Sequence, residues 1–197
     1  MKKLFIFILI SSSIVFFSSC SKDTKDTKTS KDTKETKTVV NTADFFKAVH
    51  DNEPAKVKDY LEKDKTLVDA VDSSSGINES ALGISTFDGY KEITEMLLKA
   101  GAKTEFHDAY GITPMMGAAR TNRVEIIKML IDNKADVNSI NTSKETPLHY
   151  AARYNNPDVV KLLLENKADK TAKDYNGQTP YEVAKKENAD KVLDLLK

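Results

Sequence analysis

Four residues in this 197-residue chain carry the side chains best suited to acid–base, thiol or metal chemistry: Cys20, His50, His107 and His149. Imidazole is the common proton carrier near neutral pH. A zinc site, however, needs several Cys, His or carboxylate ligands at short spacing, and three scattered histidines are poor material for one. A single thiol cannot form an internal disulfide. The chain also lacks a nucleophile elbow, a phosphate-cradling glycine loop and a His-Glu-x-x-His pair. It is therefore expected not to be an enzyme and to need no cofactor or metal. An envelope enzyme using His50 or His107 is the reading from a different class.

The elements that would have to position these residues are bounded by composition. Lys plus Arg and Asp plus Glu both number 30, so no global field draws the chain to nucleic acid or to an anionic surface. Hydrophobic residues make up 40%, with 8 Phe, 7 Tyr and no Trp, which suits one globular domain after the N-terminal segment is set aside.

That segment explains the solitary cysteine. Lys2 and Lys3 precede an apolar run from Leu4 to Ile10, then three serines, then Ile14 to Phe17: the basic and apolar regions of a secretory signal, too broken to span a bilayer. Ser18, Ser19 and Cys20 follow, and the segment resembles the lipobox of bacterial lipoproteins, although Phe17 stands where Leu is usual. The resemblance implies that Cys20 becomes the lipidated first residue of the mature chain. An ordinary secretory cut near Ser19 would instead leave an incidental thiol. Residues 21–38 read SKDTKDTKTSKDTKETKT, with no large side chain to bury, and are expected to form a disordered tether reaching roughly 25 Å.

The remainder is periodic. Thr-Pro occurs at 113–114, 146–147 and 179–180, each 33 residues after the last, and Ser80 stands one step before them. Leu97, Leu130, Leu163 and Leu196 keep the same register. Threonine can cap a helix and proline fits its first turn, so each unit reads as a short helix, a turn and a longer helix. In one period Leu148, Ala151 and Ala152 lie on the first helix and Val159 to Leu164 on the second, giving apolar faces that neighbouring units must bury for each other.

The words Thr146-Pro147-Leu148-His149-Tyr150-Ala151-Ala152 and Val159-Val160-Lys161-Leu162-Leu163-Leu164 resemble the ankyrin repeat. The resemblance implies an all-α solenoid of about five helix-turn-helix repeats with short hairpin loops. The expected organisation is a signal at 1–19, a lipid-anchored tether at 20–40 and a repeat domain at 41–197. Within the domain, 41–73 is a diverged N-terminal cap, followed by 74–107, 108–140 and 141–173, with 174–197 as the C-terminal cap. Lys134 and Lys167 fall opposite Gly101, and Lys144 and Asn78 opposite Gly111 and Gly177, where left-handed backbone is expected. His149 is implied to be a structural imidazole bonding between repeats.

The resemblance further places protein binding on the concave side, formed by hairpin tips and the exposed edge of each first helix. There the candidates are Phe87, Tyr110, Ile112, Arg120, Arg153, Tyr154 and Tyr175, aromatic and guanidinium side chains of the kind that dominate interfaces. The expectation is a membrane-tethered interaction module. It would be monomeric, binding one protein partner and no nucleic acid, exported and lipid-anchored at Cys20 to a bacterial envelope membrane. A secreted effector acting on host proteins is the alternative, and it requires an unanchored Cys20.

Overall fold

The computed structural model describes residues 41–197; the leader, the tether and Cys20 lie outside the described residues. Among the described residues ten α-helices follow one another in antiparallel pairs: α1 (Thr42–His50) with α2 (Pro54–Lys63), α3 (Ala81–Asp88) with α4 (Lys91–Lys99), α5 (Pro114–Arg120) with α6 (Val124–Asp132), α7 (Pro147–Arg153) with α8 (Pro157–Glu165), and α9 (Pro180–Lys186) with α10 (Asp190–Leu196). The architecture is an all-α solenoid.

Each first helix starts on a side-chain cap. The Ser80 hydroxyl accepts from the Gly83 N–H at 3.0 Å, and the Thr113 hydroxyl from the Met116 N–H at 3.4 Å. At Thr179 the cap is reciprocal: Glu182 returns a carboxylate to the Thr179 N–H at 2.7 Å. The diverged first unit has no Thr-Pro pair, and Asn41 does the work instead, accepting from the Ala43 N–H at 3.0 Å.

The core runs along the stack. First helices α3, α5, α7 and α9 pack side by side, and α4, α6, α8 and α10 form a second row behind them. Ala118, Ala119, Ala151 and Ala152 are fully buried between first helices, where small side chains let the backbones approach. Leu97, Leu130 and Leu163 are fully buried at matching positions of the second helices. In the first unit Phe45, with Phe46 and Tyr60 edge-on to it at 5.3 and 6.3 Å between centroids, supplies the bulk.

From the second unit onward the chain reverses through left-handed residues on the same period. Gly101, Lys134 and Lys167 end the second helices, with φ of 68° and 67° at the two lysines, and Lys144 holds φ 59° in its hairpin. Gly89, Asn122, Asn155 and Asn188 make the turn between paired helices. At Gly89 and Gly111 more than φ is involved. A Cβ at Gly89 would lie 2.6 Å from the Arg123 guanidinium, and one at Gly111 would lie 2.7 Å from the Thr142 nitrogen.

One segment departs from the repeat. Residues between α2 and α3 form a 3-10 helix (Lys65–Asp69) and a two-residue antiparallel ladder of β1 (Val71–Asp72) with β2 (Glu79–Ser80), Val71 opposite Ser80 and Asp72 opposite Glu79. The longer connection in 65–80 thus gains backbone partners of its own, a detail beyond a purely helical reading.

Candidate functional site

The concave side is built first by its hairpins. Asp108, Asn141 and Asp174, again 33 apart, each use one side-chain oxygen to accept two backbone N–H groups across the turn: Tyr110 and Ile112, Ser143 and Glu145, Asn176 and Gln178, all at 2.8–2.9 Å. Adjacent hairpins are then joined through their backbones, Ala109 N–H to the Ile77 carbonyl at 2.7 Å, Thr142 to Tyr110 at 3.3 Å and Tyr175 to Ser143 at 2.8 Å. The tips therefore form one continuous, rigid edge.

Between this edge and the first helices lies a cavity of about 570 Å³, within the range of ligand pockets. Ile77, Phe106 and Ile112 line it from the hairpins, and Phe87, Met116 and Gly117 from the helices. Gly117 makes the opening. The equivalent positions one period away are Ile84 and Tyr150, whereas a Cβ at Gly117 would meet nothing closer than Phe87 atoms at 3.6 Å.

A ridge of stacked side chains borders the cavity. The Arg120 guanidinium lies 5.4 Å from the Phe87 ring centroid and 5.2 Å from that of Tyr154, so one cation bridges two aromatic residues of different units. Phe87 and Tyr154 are 38% and 43% exposed, Tyr110 on the hairpin side 62% and Tyr175 75%. Tyr175 stands apart from the cavity, its ring under the Lys144 ammonium at 5.6 Å.

Arg153 has a different position. It is half-buried and donates to the buried Glu145 carboxylate, with its guanidinium 5.8 Å from the Tyr150 centroid. Asn141 links Glu145 and the Tyr150 hydroxyl at 3.0 and 2.9 Å, completing a polar floor. Burial pushes Tyr150, aided by the Glu145 charge, up to about 12. Burial also opposes ionisation of Glu145, but the bonds from Arg153 and Asn141 outweigh it and hold its pKa below the ordinary carboxylate value.

Of the histidines, His149 is fully buried between units. Its Nδ1 accepts from the Thr146 N–H at 3.1 Å, so its Nε2 carries the proton and donates to the Gln178 carbonyl of the next unit at 3.1 Å. Burial keeps its pKa below the free value. His50 is exposed, 3.3 Å from the Asp72 carboxylate. His107 lies 3.1 Å from the Gly111 carbonyl inside its own hairpin. The three sit in separate places, and among the described residues no group of His, Cys, Asp or Glu is arranged to hold a metal ion. No helix of the described residues is long and apolar enough to cross a membrane.

The opposite side is stitched by the residues that precede α4, α6 and α8. The Tyr90 hydroxyl reaches the His50 carbonyl at 3.2 Å, Arg123 Nη2 the Asp88 carbonyl at 2.9 Å and Asn156 Nδ2 the Ala119 carbonyl at 2.8 Å. Three unlike residues thus do one job, which is why comparing the copies could not reveal it.

Fold and surface define a class: a helix-pair solenoid on a 33-residue period whose chemistry lies on an open concave face. Two family models match, the one described as ankyrin repeats (3 copies) over residues 45–141 and the one described as ankyrin repeats (many copies) over residues 130–184. The chain belongs to the ankyrin repeat family, whose repeats are modules of protein–protein interaction. It is 34% identical over 93 residues to the ankyrin repeat and KH domain-containing protein mask of Drosophila melanogaster, covering 47% of this chain and 2% of that protein. It is 46% identical over 48 residues to an ankyrin repeat protein of Rickettsia bellii (strain RML369-C), 24% of this chain and 14% of the other. With protein phosphatase 1 regulatory subunit 12A of Mus musculus it shares 32% over 62 residues, 32% of this chain and 6% of that subunit. The chain therefore spans only a small part of each of these relatives.

Proposed function

We propose that this chain is a non-catalytic adaptor, tethered to a bacterial envelope membrane by lipid on Cys20, which holds a protein partner against its concave face. The observation that carries the reading is the exposed Phe87–Arg120–Tyr154 ridge beside a cavity of about 570 Å³. Rings and guanidinium left outside the core are the usual centres of binding energy, and a stack whose hairpins are joined through the backbone presents them at little ordering cost. A regulatory subunit among the relatives supports the adaptor reading. Support for the anchor comes from the order of basic, apolar and small residues before Cys20. Each acyl chain adds about 0.8 kcal/mol per buried CH₂, so two or more would hold the protein firmly.

The test is capture from envelope extract by wild type and by a Tyr110→Ala, Arg120→Ala, Tyr154→Ala triple variant with an unchanged melting curve. The variant should lose the partner; retention at wild-type level would remove the concave face from consideration. Fractionation of wild type and Cys20→Ala tests the tether, with the variant expected in the aqueous fraction. An aqueous wild type with an unmodified N-terminal mass would favour the secreted effector.

A further inference from the structure

The concave cavity has a chemical polarity that selects among partners. Its apolar end lies over Gly117, where the missing side chain leaves room beside Phe87 and Met116. At its other wall Glu79 of β2 is half-buried and lines the same cavity. Among the described residues the Glu79 carboxylate takes part in no ion pair. The second acid on that wall, Asp108, has already committed Oδ1 to its hairpin. Arg120, the cation on the rim, is held between two rings. A half-buried carboxylate without a counter-ion is costly, and a cation brought by a partner would recover that cost on binding.

We propose that the cavity receives a basic segment of a partner protein, with one large apolar side chain filling the space over Gly117 and a nearby Lys or Arg pairing with Glu79. This inference rests on the concave binding surface proposed above. A peptide segment fits better than a small ligand because the exposed rings of Tyr110 and Tyr154 extend the surface beyond the cavity mouth. The charges around Glu79 support the polarity. Burial raises its pKa, Asp108 raises it further, and of the remaining neighbours His50 opposes the trend while Asp72 and Asp88 reinforce it. Binding of a basic segment should therefore weaken as the pH is lowered from neutrality toward the ordinary carboxylate range.

The experiment probes an array of synthetic pentapeptides with the full chain in mild detergent. Each peptide pairs one Phe or Leu with one Arg, citrulline or Glu at every spacing. Arg peptides should be retained about tenfold better than Glu peptides, the step expected for a well-formed charge pair. Glu79→Gln should bring Arg and citrulline peptides to within about twofold of each other. Gly117→Leu, whose Cβ has room, should reduce retention of all Phe and Leu peptides about tenfold or more while the fold persists. If Gly117→Leu does not fold, Glu79→Gln on the cavity wall still decides. Equal or stronger binding of Glu peptides, no peptide above background, or a Glu79→Gln variant that still prefers Arg would each overturn the proposal. A captured partner that depends on Tyr110 and Tyr154 but not on Glu79 or Gly117 would also overturn it, while leaving the concave surface standing.

Discussion

Arg153 turns inward from the last turn of α7 and donates to Glu145 in the hairpin before it, so a guanidinium that stands at the exposed edge of the helix is tied to a buried carboxylate. Its candidacy as a partner-binding residue is therefore unlike that of Arg120, whose stacking leaves it exposed on the rim. Removing one member of such a pair strands the other.

Arg153→Met is expected to cost about 3 kcal/mol of stability at neutral pH, because Glu145 would remain buried without its cation. Glu145 titrates below its ordinary 4.5 in the folded chain, so the pair's contribution is complete above that value and is lost as the pH falls through the folded one. Urea melts of wild type and Arg153→Met should accordingly converge in acid. A gap that widens on acidification would contradict this account.

His149 provides a second pH signature of opposite chemical origin. Burial lowers its pKa from 6.5, so the unfolded chain takes up the proton first; its contribution is complete above about 6.5 and fades as the pH falls from there toward the folded value. His149→Met, which copies Met116 one unit earlier, should lose about 1–3 kcal/mol at slightly alkaline pH by leaving the Gln178 carbonyl without its donor. Its stability should then vary less than wild type's just below pH 6.5. Parallel curves would argue against a buried neutral imidazole.

Between α3 and α4 the Thr94 hydroxyl donates to Ser85 Oγ at 3.0 Å, and Ser85 donates on to the Leu82 carbonyl at 3.1 Å, all of it buried. The next unit has Ala118 and Ile127 at the same two positions. Ser85→Ala alone should cost about 1–3 kcal/mol by stranding the threonine hydroxyl, whereas Ser85→Ala with Thr94→Val should be close to neutral. Denaturant melts of the two single variants and the double variant measure the coupling, and purely additive losses would refute it.

Lys134 and Lys167 hold left-handed backbone at the ends of α6 and α8. Relief of about 1–2 kcal/mol of strain, less about 0.5–1 of extra unfolded-state entropy for glycine, predicts a gain of up to about 1.5 kcal/mol for either Lys→Gly change. Gly89→Ala should instead destabilise by at least about 1 kcal/mol, since positive φ and the Arg123 guanidinium both oppose it. Thermal melts with both glycine variants weakened would reverse the reading.

The parts of this molecule that were legible beforehand are those written as one residue type at one spacing. Thr113, Thr146 and Thr179 mark helix starts, and Leu97, Leu130 and Leu163 mark the core, because a cap and a fully buried site each accept few residue types. The left-handed lysines were legible only by alignment, Lys134 and Lys167 with Gly101 and Lys144 with Gly111 and Gly177, a property of the backbone rather than of lysine. Asp108, Asn141 and Asp174 were readable on the same period, yet they look like ordinary polar loop residues until their double acceptor role is seen. The ties made by Tyr90, Arg123 and Asn156 carry no common letter at all. Most hidden was the cavity, since Gly117 marks it by lacking a side chain, while the tertiary fold supplies its other walls.

The joints between hairpin tips pass only from one unit to the next, so the chain can change length by whole units without rewriting any of them. A tandem copy of 108–140 spliced after Ile140 would offer its neighbours the same carbonyls and amides that the original does. Such a copying slip would keep every joint of the stack but would separate Ile77, Glu79 and Phe87 from Asn141 and Tyr150, which now share the cavity. Inheritance of this fold is therefore tolerant of added units everywhere except across 77–150, where the count of repeats is itself part of the recognition code.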